Sequence, residues 1–176
     1  MKNNLVVLFV LIFLFVLSQG QVKAPLPNFQ QVNPNLYRGA QPPVESLKIL
    51  ADKGIKTIIN LRGVSDATRA EEQQAKALGI RFYNLQFPPL SKPDFSKVDQ
   101  ALAIINDPAN QPVFVHCKHG EDRTGTVIAC FRMTNDGWND EQAIAEAKQF
   151  GMSFVQISMR RFIRKFYEQR IKLRTK

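Results

Sequence analysis

An apolar segment that runs through a short polar loop into a second apolar segment is the feature that most constrains the fold of this 176-residue chain. The segment QPVFVH, residues 111–116, predicts a buried strand. The segment TGTVIACFRMTND, residues 124–136, predicts a helix that is apolar on most sides and therefore central. A loop that joins a strand directly to a buried helix lies at the carboxyl end of the sheet, where α/β proteins bind ligands.

Strand-like and helix-like segments alternate through the middle of the chain. The β-branched run IKTIINLR (residues 55–62) and the segment IRFYNLQF (residues 80–87) predict two further strands. Ser65 is expected to cap the helix between them, and Ser96 the helix after them. The region that precedes these elements is expected to begin irregularly, with a short strand near residues 36–38. A helix is then expected to open at Pro42 and Pro43 and to end at Gly54. We therefore expect an α/β fold, a single domain with a central, mostly parallel sheet flanked by helices.

The N-terminal segment has the composition of an export signal. Its apolar run, residues 5–17, is shorter than the about 20 residues that span a bilayer core, and small residues follow it. We predict a signal peptide over residues 1–24, cleaved near residue 20 or 24, and an exported domain over residues 25–172, periplasmic or secreted in a bacterium. An uncleaved membrane anchor is the alternative. Residues 173–176 are expected to form a basic tail.

Positive charge is concentrated at the C-terminal end. The chain carries a net charge of +9, and residues 160–176 contain eight Lys or Arg residues with Glu168 as the one acid. A terminal helix with a solvated basic face is predicted from about Ser153, after a helix capped by Asn139 and Gln142. Such an end suits weak contact with an anionic membrane surface, whereas a nucleic-acid partner is not expected. The sequence leaves the oligomeric state open.

Cys117 and Cys130 are the two cysteines of the chain. Along a helix, at about 1.5 Å per residue, they are separated by about three turns. This is more than the ~7 Å between Cα atoms that a disulfide bridges, so both thiols are expected to be free. Cys130 lies among apolar residues and is interpreted as core packing. Cys117 stands before a helix N-terminus, a position that favours a thiolate nucleophile.

The spacing between Cys117 and Arg123 suits a loop that surrounds an anion. Backbone N–H groups of such a loop can turn inward around a tetrahedral oxyanion, and a guanidinium can bind two of its oxygens. Thr124 is expected to hydrogen-bond the sulfur. The residues predicted to bind the phosphate are Lys118, His119, Gly120, Glu121, Asp122 and Arg123.

The sequence HCKHGEDRTG, residues 116–125, resembles the signature loop of the cysteine-dependent protein tyrosine phosphatases. In its length and in the late position of the motif, the chain is similar to the small dual-specificity phosphatases, especially those of bacteria and the atypical plant and fungal type. The resemblance implies a phosphomonoester hydrolase of tyrosine or dual-specificity type, with a phosphocysteine on Cys117 and a phosphoryl group held by Arg123. It also implies that His116 orients the loop and that no metal or cofactor is needed.

The same residues admit other functions. The resemblance also suits a phosphoinositide or inositol phosphate phosphatase, so the substrate is either a phosphorylated protein or a small polyanionic phosphate. A non-catalytic phosphate-binding module is disfavoured, because the nucleophile and the arginine are both present. A zinc site formed by His116, Cys117 and His119 would lack a fourth ligand of the usual type.

Two aspartates compete for the role of general acid. Asp122 precedes the signature arginine, and Asp94 lies in a separate loop upstream. Asp122 is the favoured candidate, with a structural role in holding the loop as its alternative; Asp94 could instead cap a helix. Arg38 and Arg62 follow predicted strands and are expected to form buried ion pairs, although either could bind the phosphate or brace the loop.

Overall fold

A computed structural model gives the architecture of residues 26–172. The predicted signal peptide, residues 1–24, and the predicted basic tail, residues 173–176, lie outside this described part. Within it, no helix combines the length and the apolarity needed to cross a membrane.

A five-stranded sheet with the order β1-β2-β5-β3-β4 forms the centre of the domain. Strand β1 is antiparallel to β2, and the other neighbouring pairs are parallel. This arrangement confirms the predicted α/β fold with a mostly parallel sheet. The strands are β1 (Gln30–Asn33), β2 (Leu36–Ala40), β3 (Thr57–Asn60), β4 (Arg81–Asn84) and β5 (Val113–Cys117).

Helices cover both faces of the sheet. Helices α1 and α2 pack on one face, and α3, α4, α5 and α6 belong to the other side of the domain. Their bounds are α1 (Leu47–Asp52), α2 (Asp66–Ala77), α3 (Phe95–Asn106), α4 (Asp122–Asn135), α5 (Asp140–Gln149) and α6 (Ile157–Phe166).

The alternation of side chains along β5 decides what each signature residue can contact. Phe114 packs in the small core beneath α1 and α2, whereas Val113, Val115 and Cys117 belong to the larger core around α4. His116 shares the face of Phe114, since side chains two residues apart on a strand point the same way. The histidine and the cysteine of the signature loop therefore face opposite sides of the sheet.

Three details differ from the sequence prediction. Strand β1 was expected to be irregular, because its exposed polar residues do not alternate as a half-buried strand does. Asp94, not Ser96, occupies the N-cap of α3, so the predicted Ser96 cap is wrong. Helix α6 begins at Ile157 rather than near Ser153, because residues 153–156 form a turn held from both sides by side chains.

Candidate active site

The signature loop connects the centre of the sheet to the most buried helix. Cys117 is the last residue of β5 and is 3% exposed, and α4 begins only a few residues later at Asp122. The unpaired N–H groups and the partial positive charge of the α4 N-terminus are therefore directed at the end of the strand that carries the thiol. This geometry favours a bound anion next to Cys117.

Three successive carbonyl groups of the loop, those of residues 118–120, are bound on the outside of the loop. Their donors are, in chain order, the backbone N–H of Gln41 at 3.4 Å, the side-chain amide of Asn28 at 3.1 Å and the guanidinium of Arg38 at 2.8 Å. Because these carbonyls are held outward against β2 and its flanks, the N–H groups of the loop are available to the enclosed side. The loop thus has the outward carbonyls and free amides of an anion-binding nest.

Gly120 allows the loop to approach β2 this closely. Its φ is +77°, in the left-handed region, and a Cβ at this position would lie 2.4 Å from the carbonyl carbon and oxygen of Gly39. Any other residue would push the loop away from the strand. The predicted contribution of Gly120 is thus made by its backbone.

Arg38 is a buried brace behind the loop. It is 1% exposed, donates to the Gly120 carbonyl and lies with its guanidinium 4.1 Å from the centre of the Phe150 ring. Burial lowers the pKa of Arg38 to about 10, against the opposing influence of Glu146 and Cys117. Its positive charge therefore acts on the thiol from the protein side of the loop.

Arg62 lies on the solvent side and donates to the side chain of Gln41. Within the described residues, neither Arg38 nor Arg62 forms an ion pair. The expectation of buried ion pairing is therefore wrong for both. Arg38 braces the loop instead, because the carboxylate of Glu146 is already paired with Arg132.

His116 is held by a buried carboxylate that the sequence did not reveal. Its Nε2 lies 2.7 Å from Oε1 of Glu71 on α2, and both side chains are fully buried. The two atoms are in close contact without the alignment of a hydrogen bond, since neither has a well-directed partner. The other oxygen of Glu71 accepts hydrogen bonds from Asn60 at 2.9 Å and Gln41 at 3.0 Å. The network fixes the histidine ring and links it to the strand ends beside the loop.

Two open grooves meet at the signature loop. One, of about 800 Å³, is lined by His119, Glu121 and the segment after β2, and the other, of about 530 Å³, is lined by Arg123 and residues 86–89. Arg62 and Lys118 line both grooves. Three cations therefore surround the place where the grooves join.

The remaining loop residues have distinct positions. Arg123 is partly buried and donates to the carbonyl of Leu61 at 3.4 Å. Thr124 is fully buried, and its hydroxyl has no hydrogen-bond partner within residues 26–172, which leaves it available to a sulfur or a ligand. Cys130 is fully buried in the core and is not bonded to Cys117.

The two candidate acids differ in their contacts. Oδ1 of Asp122 accepts a hydrogen bond of 2.8 Å from the backbone N–H of Ser153, so this carboxylate holds the segment between α5 and α6 against α4. Asp94 is exposed, and its side chain makes no capping bond although it occupies the N-cap of α3. The structure thus assigns a holding contact to Asp122 and leaves the carboxylate of Asp94 without a capping role.

A family model described as a DSP-PTPase phosphatase fused to NAD+ kinase matches residues 22–165. The chain belongs to this phosphatase family. OCA1 of Mycosarcoma maydis, which bears the name of a tyrosine-protein phosphatase, is 32% identical over 152 residues, 82% of this chain and 94% of its own. The dual-specificity protein phosphatase TpbA of Pseudomonas aeruginosa PAO1 is 33% identical over 133 residues, 75% of this chain and 58% of its own.

A solved structure gives the same answer for the fold. The core catalytic domain of the PP-IP phosphatase SIW14 from S. cerevisiae, crystallised with citrate, is 26% identical, with a TM-score of 0.74 over 86% of this chain and 93% of that domain. The protein is therefore a cysteine-dependent phosphatase with the fold that its signature loop predicts.

Sequence reasoning missed the residues that support the loop from other elements. Glu71 follows Ala70 and precedes Glu72 in a polar helix, and nothing in that pattern separates the buried acid from its exposed neighbour. Asn28 and Gln41 carry ordinary amides in segments rich in Pro, Asn and Gln. Their roles depend on the pairing of β2 with β5, which brings distant segments of the chain to the loop.

Proposed function

We propose that the protein hydrolyses phosphomonoesters with Cys117 as the nucleophile and that its main substrates are phosphotyrosine or other phosphorylated residues of proteins. The observation that carries the proposal is the set of outward-held carbonyls at residues 118–120, next to a cysteine at the N-terminus of α4. An anion held by the inward N–H groups would lie in reach of both the thiolate and the guanidinium of Arg123.

The reaction proceeds in two displacements. The Cys117 thiolate attacks phosphorus, a new S–P bond forms, and the P–O bond to the leaving group breaks as that oxygen receives a proton. Water then attacks the phosphocysteine: a P–O bond forms, a proton of the water passes to the carboxylate that protonated the leaving group, the S–P bond breaks, and inorganic phosphate leaves while the thiolate is restored. Arg123 and the loop amides stabilise the charge on the equatorial oxygens in both steps. The buried hydroxyl of Thr124 is placed to stabilise the sulfur as it leaves.

We propose Asp94 as the general acid and Asp122 as a holding residue, the reverse of the sequence-based preference. Asp122 already accepts the Ser153 N–H, as its alternative structural role requires. Asp94 ends the segment whose residues 86–89 line the groove beside Arg123, and its carboxylate is exposed. A positioned acid contributes about 10²–10⁴-fold to such reactions.

An Asp94→Asn variant should therefore lose turnover of substrates with poor leaving groups and lose the alkaline limb of the pH profile. It should keep more of its activity on p-nitrophenyl phosphate, whose leaving group needs little protonation. Asp122→Asn is the matched control and should behave like the wild type apart from a lower unfolding midpoint. A large loss of turnover for Asp122→Asn, with Asp94→Asn unaffected, would contradict this proposal and would make Asp122 the general acid.

An inositol polyphosphate is the second candidate substrate. Arg62 and Lys118 line both grooves next to Arg123, so a ligand with neighbouring phosphate groups would find a second cationic position. The similarity to SIW14, a PP-IP phosphatase by name, supports the same class. Phosphate release from a panel of phosphopeptides and inositol polyphosphates decides between the two. An Arg62→Gln variant should lose activity selectively on the polyphosphates if they are the substrates.

The nucleophile is tested by Cys117→Ser. We expect this variant to lose turnover of p-nitrophenyl phosphate completely while its circular dichroism and its unfolding midpoint stay near those of the wild type. Cys130→Ser is the control for a thiol that the reaction does not use. Full activity of Cys117→Ser would end the proposal.

We also propose that the protein is exported and that its basic end, residues 160–176, makes a weak contact with anionic membrane surfaces. The apolar run at residues 5–17 and the eight basic residues of the C-terminal end support these proposals. Fractionation of a bacterial host that expresses the full chain tests the first of them. Recovery of the uncleaved chain from the cytoplasm would contradict it.

A further inference from the structure

Four apolar side chains protrude from the surface beside the active site. They belong to the segment before α3 and to the segment that leads into α6, and we refer to them as the apolar rim. Phe154 is 83% exposed and Leu90 78%, so both project into solvent instead of packing on the domain. The members of the apolar rim are Leu90, Phe154, Val155 and Ile157.

Hydrogen bonds hold the two segments of the apolar rim together. The side chain of Gln156 donates to the carbonyl of Pro89 at 3.2 Å, and the hydroxyl of Ser158 donates to the carbonyl of Leu90 at 3.2 Å. Gln156 itself is buried. The protruding side chains therefore form one surface, with a polar framework beneath it.

The same surface is attached to the signature loop. Asp122, at the start of α4, binds the backbone N–H of Ser153, and the guanidinium of Arg160 donates to the carbonyls of Ser153 and Phe154. These bonds fix the backbone that carries Phe154 next to the mouth of the site. An occupant of the apolar rim would thus lie beside the phosphate-binding loop.

Arg161 and Lys165 continue the apolar rim along α6, and we refer to them as the basic stripe. They follow Ile157 at intervals of four residues, so all three side chains share one face of the helix, and all three are exposed. Residues 151–165 contain four basic residues and no acid. Within the described part of the chain, Arg161 and Lys165 are in no ion pair. Their charge is therefore available to an anionic partner.

We infer that the apolar rim and the basic stripe of α6 dock on a bilayer that contains anionic phospholipid, with the active site facing the lipid surface. Protruding apolar side chains next to cations are typical of surfaces that insert shallowly between lipid headgroups. A phosphopeptide would instead need a concave pocket for its flanking side chains, and none of the four rim side chains lines either groove of the site. Unlike contact through the C-terminal end alone, this docking sets the orientation of the site.

Insertion is tested with a fluorescent reporter in the full chain. The chain has a single tryptophan, and Trp138→Phe removes it while keeping an aromatic ring beside the guanidinium of Arg132. Phe154→Trp is then introduced as the rim reporter, and Lys56→Trp is the control reporter, since residue 56 is exposed and precedes β3 at the opposite end of the sheet. Both proteins are mixed with vesicles of phosphatidylcholine and phosphatidylglycerol that carry brominated acyl chains.

We expect the emission of the rim reporter to shift to the blue and to be quenched by the brominated lipid, while that of the control reporter does not change. Leu90→Ser in the chain with the rim reporter should raise the lipid concentration needed for half-quenching by about tenfold, because serine buries less apolar area in the bilayer than leucine does. Arg161→Gln should weaken the dependence on phosphatidylglycerol, whereas Lys56→Gln should not. Turnover of soluble p-nitrophenyl phosphate should be unchanged in all of these variants, which separates the docking from the catalytic proposal.

Equal quenching of the two reporters would contradict the inference, because the apolar rim would then not be the inserted surface. An unquenched rim reporter whose emission shifts when a phosphotyrosine peptide is added would also overturn it and would assign the apolar rim to a protein partner.

Discussion

Replacement of Gly120 by alanine tests whether the signature loop must lie against β2. Two costs add at this position. The residue has a φ of +77°, where a side chain costs about 1–2 kcal/mol. The new Cβ would also lie 2.4 Å from the Gly39 carbonyl and 2.6 Å from the Ala40 nitrogen. These are backbone atoms that cannot rotate away, and such overpacking costs about 1–3 kcal/mol more.

Gly79→Ala provides a matched control. Gly79 has a φ of +74°, but nothing lies within 4 Å of a Cβ built there. Gly79→Ala should therefore lower the free energy of unfolding only by the cost of a side chain at positive φ, about 1–2 kcal/mol. Urea titrations give the free energy of unfolding of both variants. The backbone cost is common to the two, so the difference between their free energies of unfolding is the cost of the contact between the new Cβ and β2.

Activity gives a second measure of the same geometry. The displaced loop in Gly120→Ala should release the Arg38 bond to the Gly120 carbonyl and turn the loop amides away from the anion, so kcat on p-nitrophenyl phosphate should fall by more than tenfold. Gly79→Ala should keep the wild-type kcat. A Gly120→Ala variant that is no less stable than Gly79→Ala and fully active would refute the argument that the loop is held against β2.

Two further predictions concern buried ionisable groups. Glu71→Gln should cost about 1–3 kcal/mol of stability and lower kcat, since it removes the buried carboxylate that contacts His116. The neighbouring Glu72→Gln is the control and should change the unfolding free energy by about 0.5 kcal/mol or less. Equal urea midpoints for the two variants would contradict the role of Glu71 in this network. Burial, with a smaller contribution from Asp99, raises the pKa of Cys130 well above 9.0, so the thiol ionises first in the unfolded chain and stability should fall as the pH rises past about 9. Between pH 7 and pH 10, the urea midpoint of Cys130→Ala should fall by less than that of the wild type. An identical fall would show that ionisation of the Cys130 thiol is not the cause.

The strand, the loop and the helix of the site could be predicted because their signals are local. The apolar run of β5, the glycine in the loop and the apolar helix α4 lie next to one another in the chain. The helix caps at Ser65 and at Asn139 with Gln142 were also predicted, and the structure confirms both. Each depends on residues three positions apart.

The parts that could not be predicted depend on tertiary contacts. Asn28 binds a loop carbonyl 91 residues away, and Arg38 binds one 82 residues away. Glu71 is buried where α2 packs on the sheet, in contact with His116 of β5. The carboxylate of Asp122 could be assigned a holding contact only after Ser153 was located. A single sequence records the presence of these polar residues without their partners.

If Cys117 is the nucleophile, it carries the phosphoryl group during turnover. Rapid denaturation at neutral pH during hydrolysis of a ³²P-labelled phosphotyrosine peptide, followed by peptide mapping at the same pH, locates that group. We expect the label on Cys117 in the wild type and in Cys130→Ser, and no label in Cys117→Ser. A label on another residue, or steady turnover by Cys117→Ser, would contradict it.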